Sequence, residues 1–118
     1  MALHITPEML EGAYALLRAT PPFRGWKLPP SDEVEFRVSR TRKCSGLYEY
    51  LGMAGAHRIH VSCLNHSQLS SLLVTMAHEM VHLAQQLRYP KAPAGHGKLF
   101  NRMADQVCRY HGIDRATF

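Results

Sequence analysis

The chain has 118 residues, 46% of them hydrophobic, and carries 14 Lys and Arg against 9 Asp and Glu for a formal charge of +5. That length supports one core and not two, and no repeat or low-complexity tract points to a fibrous or disordered protein. The N-terminus has no basic start followed by an apolar run, so neither secretion nor membrane insertion is signalled, and a cytoplasmic monomer with a single domain over residues 1–118 is expected. Cys44, Cys63 and Cys108 are few and far apart, which reads as structural thiols in a reducing compartment rather than a disulfide framework.

Thr6 caps a first helix with Pro7 in its first turn, and Met9, Leu10, Ala13, Leu16 and Leu17 form its inward face. It ends near Thr20-Pro21-Pro22. After a Pro-rich linker carrying Trp26, the run Val34-Glu35-Phe36-Arg37-Val38 alternates apolar and polar residues, as a half-buried strand does. Two further strands follow, Leu47 to Leu51 and Arg58 to Cys63, with Gly52 and Gly55 between them as a hairpin signal. The expected sheet is a three-stranded antiparallel meander. On the last strand Ile59, Val61 and Cys63 face the core while Arg58, His60 and Ser62 face outwards. As the last strand of the meander it is expected to leave one edge free.

Leu69, Leu72, Leu73, Met76, Met80, Leu83, Ala84 and Leu87 repeat at three- and four-residue steps and predict a long helix from about Ser67 to Arg88. Asn65 or Ser67 caps its start, and Tyr89-Pro90 stops it because proline restricts the preceding residue and lacks an amide proton. Within this helix stands His78-Glu79-Met80-Val81-His82, an HExxH motif. Four residues turn a helix by about 400°, so both imidazoles leave the same face and can reach one ion. Glu79 sits about 100° round, beside the metal, where a carboxylate can act as general base.

A catalytic zinc ion takes three protein ligands and leaves the fourth vertex to water. No glutamate follows Glu79, so the third donor comes from Asp105, Asp114, His96, His111 or Cys108. His96 is the best of these, because the segment from Tyr89 to Gly95 has two prolines and a glycine and can return the chain to the metal. His96 also opens a last helix, about Lys98 to Tyr110, with Leu99, Phe100, Met103, Val107 and Cys108 on one side and Gly112 as its stop. For His4, His57, His60, His66 and His111, packing or solvated roles are expected.

The order of these elements and the motifs His78-Glu79-Met80-Val81-His82 and His96-Gly97-x-x-Phe100 closely resemble the SprT-like (Spartan-type) zinc metallopeptidases, a family with members that cleave proteins crosslinked to DNA. Phe23-Arg24-Gly25-Trp26, the strand Val34 to Ser39, the basic turn, and Arg58-Ile59-His60-Val61-Ser62 occur in similar order there, so the resemblance covers most of the chain. It implies one zinc ion on His78, His82 and His96, with Glu79 as catalytic base. Many relatives carry a C-terminal four-cysteine zinc ribbon. No CxxC pair occurs here, and any DNA contact made by that module is not expected.

The expected fold is thus α+β, a minimal zincin-like domain with an N-terminal helix, a three-stranded antiparallel sheet, the HExxH helix and a C-terminal helix. The expected function is a zinc endopeptidase acting on exposed or DNA-associated proteins. Arg37, Arg40, Arg42 and Lys43 concentrate positive charge at a strand end and turn, a patch suited to phosphate, and Trp26 or Tyr48 can stack on unpaired bases. Single-stranded or damaged DNA is therefore a partner to weigh beside the protein or peptide substrate, the alternative being a solvated basic turn. Tyr48, Tyr50, Tyr89, His60 and Arg102 are the donors available to stabilise an oxyanion. The competing functions are a zinc peptidase unrelated to DNA and a non-enzymatic basic nucleic-acid-binding module with a structural zinc.

Overall fold

A computed structural model describes residues 3–52 and 55–118. Its first helix, α1 (Pro7–Arg18), starts where Thr6 Oγ1 accepts the Met9 amide at 3.2 Å and Pro7 supplies the preset φ of the first turn. Leu10, Ala13, Tyr14 and Leu17 form its buried face. Leu16, expected inward, is exposed, because the stripe through Leu10, Tyr14 and Leu17 turns it to solvent. Tyr14 was not foreseen in the core; its ring meets Phe36 edge-on and its hydroxyl donates to the Pro29 carbonyl at 2.6 Å, so the polar tip is satisfied.

Three strands follow, β1 (Val34–Ser39), β2 (Gly46–Leu51) and β3 (Ala56–Ser62). Their order is β1-β3-β2, with β1 parallel and β2 antiparallel to β3. The sheet is therefore mixed, not an antiparallel meander. The glycine-flanked turn does pair β2 with β3, with Gly55 at φ +62° and its amide bonded to the Gly52 carbonyl. Residues 40–45 between β1 and β2 have no such tight turn, and they cross two strand spacings, roughly 10 Å, over the end of β3. The crossing is stitched down: Ser62 Oγ donates to the Thr41 carbonyl, Asn65 to that of Cys44, and the Ser62 amide to that of Ser45.

Two expectations for β3 change with this topology. Ser62, on the outward side of the strand, is nonetheless fully buried, because the crossing covers it. β3 is the central strand, with Ile59 and Val61 sealed from solvent, so the strand with a free edge beside α2 is β2. Cys63, beyond the strand, is half-buried against the core with Arg40 Nη1 at 3.8 Å from its sulfur.

The helix α2 (Leu69–Arg88) lies across β2 and β3 and also contacts α1 and α3 (Lys98–His111). Leu72, Met76, Met80 and Leu83 fill the core between α2 and the sheet. Neither Asn65 nor Ser67 caps α2; the N-cap position is Gln68, and the Asn65 side chain is drawn instead to the crossing loop. α3 ends at Gly112, which takes the left-handed conformation at φ 69°. Among the described residues, no helix is long and apolar enough to cross a membrane.

The two faces of the sheet differ in chemistry. Inward are Val34, Phe36, His57, Ile59, Val61 and Tyr48. Outward, Glu35 pairs with Arg37 and Arg58, and Glu49 with Arg58 and His60. Cys44 is exposed, Cys108 is buried, and all three cysteines are free.

Candidate metal centre

The helical pitch brings His78 and His82 out of one side of α2, and the turn after α2 returns His96 to them just ahead of α3. Their ring nitrogens face one another: His96 Nε2 is 3.1 Å from His78 Nε2 and 3.0 Å from His82 Nε2. Among the described residues this is the one group of His, Cys, Asp or Glu donors gathered closely enough to hold an ion, with every ligand atom within 4.8 Å of the others. A tetrahedral zinc ion with Zn–N of about 2.0–2.1 Å sets its nitrogens roughly 3.4 Å apart, so the observed spacing fits that donor set.

Protonation also suits a metal. His78 Nδ1–H donates to the main-chain oxygen of Phe118 at 2.6 Å; since that oxygen only accepts, Nδ1 carries the proton and Nε2 keeps its lone pair. Burial lowers the pKa of His78, and burial together with the neighbouring imidazoles lowers that of His82 to about 4. Both rings are therefore neutral near pH 7, the form that binds metal. Phe100 is the floor of the group, its centroid 4.5, 4.6 and 5.0 Å from those of His82, His96 and His78. Because Phe100 is itself buried in the core, the floor is rigid.

Glu79 points to the other side of the same helix turn, toward the start of β2. It is buried, and that burial raises its pKa to about 7 against a smaller lowering from the nearby Tyr48 main chain. Gly46 makes this possible. A Cβ there would stand 2.7 Å from Thr75 Cγ2 and 2.9 Å from Glu79 Oε2, so only glycine lets the strand approach this closely. Gly46, Thr75, His78, Glu79 and His96 line a cleft of about 300 Å³ that Ser45 and Phe118 close at its sides.

The remaining expected site residues lie apart from this group. Arg40, Arg42 and Lys43 are exposed on the crossing loop, whose next residues, Cys44 and Ser45, border the cleft. Arg37 lies on the outer sheet face, paired with Glu35 at 2.7 Å. Trp26 belongs to the short 3-10 turn Phe23–Trp26 and is half-buried, edge-on to Phe23. Of the oxyanion donors, Tyr48 is bonded through its hydroxyl to His57 at 2.6 Å, and His60 is on the outer sheet face with Glu49. Tyr48 and Tyr89 share a small hollow with His82. Gly46 and Phe118 had no signal in the sequence, since their partners are 33 and 40 positions away, the latter separation being that of the His78–Phe118 bond.

A family model for the SprT-like family matches residues 18–117, nearly the whole chain. The chain belongs to the SprT-like family. A search of curated proteins returned no match, so the assignment rests on the family model. The matched span contains every residue of the three-imidazole group and Glu79. Membership accords with a metal-dependent peptidase domain.

Proposed function

We propose that this SprT-like protein is a zinc-dependent endopeptidase that cuts exposed segments of proteins, including proteins held on DNA. The observation that carries the reading is the convergence of three Nε2 atoms beside a buried carboxylate that opens on the same cleft. His78, His82 and His96 would hold one zinc ion, which when bound polarises the scissile carbonyl and acidifies water. Glu79 serves as general base and then general acid. It takes a proton from the attacking water and returns it to the leaving amine. Its pKa near 7 keeps both forms accessible, and a cation nearby favours the ionised one.

β2 supplies a way to hold an extended chain. The Ser62 amide bonds the Ser45 carbonyl, which makes 45/62, 47/60, 49/58 and 51/56 the hydrogen-bonded pairs of this ladder. The main-chain groups of Gly46, Tyr48 and Tyr50 consequently face the free edge, and a substrate strand added there would run past Glu79. Main-chain pairing selects unfolded segments over particular side chains. Arg40, Arg42 and Lys43, on the loop that leads to Cys44 and Ser45 at the cleft, have no acidic partner among the described residues and supply positive charge for a phosphate backbone, which supports DNA-associated substrates. A structural zinc would call for a fourth protein ligand, and among the described residues three gather here.

The test is zinc content together with cleavage of an unfolded protein, free or bound to single-stranded DNA. The parent is expected to hold one zinc ion per chain and to cleave, faster with DNA at low salt. Glu79→Gln should keep the zinc and lose cleavage by a hundredfold or more, on the order of what a general base contributes. Equal cleavage by Glu79→Gln overturns the catalytic assignment, and cleavage indifferent to DNA at every salt concentration removes the DNA-associated substrate.

A further inference from the structure

Two of the three imidazoles are tied together a second time, through residues outside the imidazole group. From His96 the path runs through its main-chain carbonyl, which accepts from Asn101 Nδ2 at 3.3 Å. Asn101 Oδ1 in turn accepts from Arg115 Nη2 at 2.5 Å, while Arg115 Nε reaches Asp105 at 2.8 Å. The same guanidinium lies over the Phe118 ring, 5.9 Å from its centroid. Phe118 closes the path: its main-chain oxygen holds His78 Nδ1–H, and its ring is 5.2 Å from the His78 ring. The short 3-10 turn Arg115–Thr117 is itself set by Asp114, whose side chain accepts the Ala116 amide.

We propose that Asn101 and Arg115 are positioning residues for the metal centre, forming a latch from His96 to His78 in which the Arg115 fork aligns α3 and the Phe118 main-chain oxygen. The proposal rests on the reading of His78, His82 and His96 as metal ligands. The Phe118 main-chain oxygen holds the proton on His78 Nδ1; without it the ring is free to place that proton on Nε2, where it blocks coordination. Arginine is required for its shape. One guanidinium reaches Asn101 and Asp105 through two different nitrogens and stacks on a ring, whereas an ammonium offers a single point of charge. Arg115 and its acceptors are solvent-accessible, and exposed pairs of this kind contribute little to folding, so the latch acts on the site more than on stability.

The experiment uses the full chain with Arg115→Ala, Arg115→Lys and Asn101→Ala, each also prepared zinc-free. Zinc affinity is measured by competition with a chromophoric chelator, the His78 tautomer by long-range ¹H–¹⁵N correlation in the zinc-free protein, and folding by thermal melting. Expected for all three variants is zinc affinity about tenfold weaker, as for loss of an outer hydrogen-bond partner. The His78 Nδ1–H signature should weaken while the zinc-free melting temperature stays close to the parent's. Thr20→Val, which removes the contact of Thr20 with His111 far from the latch, should alter melting and leave zinc affinity unchanged. The proposal is overturned if Arg115→Ala keeps parental zinc affinity and tautomer, if Arg115→Lys restores both, or if affinity falls only in step with melting. Should the parent bind no zinc, the peptidase reading fails, and the tautomer alone decides whether the latch orients His78.

Discussion

The face of α2 turned toward β2 and α3, and the outer face of the sheet, carry the same residue types in opposite states. On the sheet each acid has a cation. Arg58 and Arg37 hold the Glu35 carboxyl below its ordinary range, and His60 with Arg58 does so for Glu49. On α2 the acid is buried without a cation, and Glu79 moves the other way, to about 7. The histidines divide likewise. His60 bonds Glu49, His57 bonds Tyr48, and His66 lies between the Ser71 hydroxyl and the Ser45 carbonyl. His78, His82 and His96 instead turn nitrogens on one another, and one ring proton cannot serve two acceptors. A polar group with a protein partner is structural; a set of acceptors aimed at common space calls for a cation.

The sharpest way to break that comparison is to truncate one histidine from each region. His82→Ala is expected to abolish stoichiometric zinc binding and cleavage. His60→Ala, which loses only its hydrogen bond with Glu49 on the outer sheet face, should leave both intact. Elemental analysis and a cleavage assay on the two variants decide it, and zinc retained by His82→Ala would dissolve the distinction.

Glu79 sharpens it next, through pH. Its folded-state pKa is raised from 4.5 to about 7, so between those values the folded state binds more protons than the unfolded one and stability falls as pH rises. The zinc-free Glu79→Gln protein should therefore be more stable than the zinc-free parent at pH 8, by about 2–3 kcal/mol, with the gap closing below pH 5. Denaturant unfolding at the two pH values measures this; a constant gap would mean that the carboxyl is not buried as described. His82, lowered from 6.5 to about 4, works in the opposite sense in both proteins, adding stability as pH rises from 4 to 6.5, and cancels from the difference.

Gly46→Ala tests the approach of β2 to Glu79. The added methyl meets Thr75 and Glu79 and should cost about 1–3 kcal/mol by overpacking. Zinc content should stay at the parental level while cleavage drops by more than the stability loss explains, because the methyl displaces the Glu79 carboxylate. Parental cleavage with a parental melting curve would show that β2 has room to retreat.

What lay legible in the chain was local. Thr6 and Pro7 mark the start of α1, Gly112 the end of α3, and Gly52 with Gly55 the β2–β3 hairpin, because caps and tight turns are decided by atoms within a few residues of each other. The pairing of His78 with His82 follows from helical pitch alone, and the return of His96 from the punctuated stretch before it. The order of the strands was not legible, since alternation marks each strand without naming its neighbour; the crossing loop made β3 central, covered Ser62 and left β2 with the free edge.

By itself, then, the amino-acid sequence determined the helices, the strands and the three imidazoles with their glutamate, all set by spacings of a few residues or one short excursion. Only the tertiary structure decided what surrounds them: Gly46 against Glu79, the Phe118 main-chain oxygen on His78, and the path through Asn101 and Arg115. The longest of those contacts join residues 33 and 40 positions apart on separate elements, and no local periodicity encodes them; packing of α2 against β2 and α3 does.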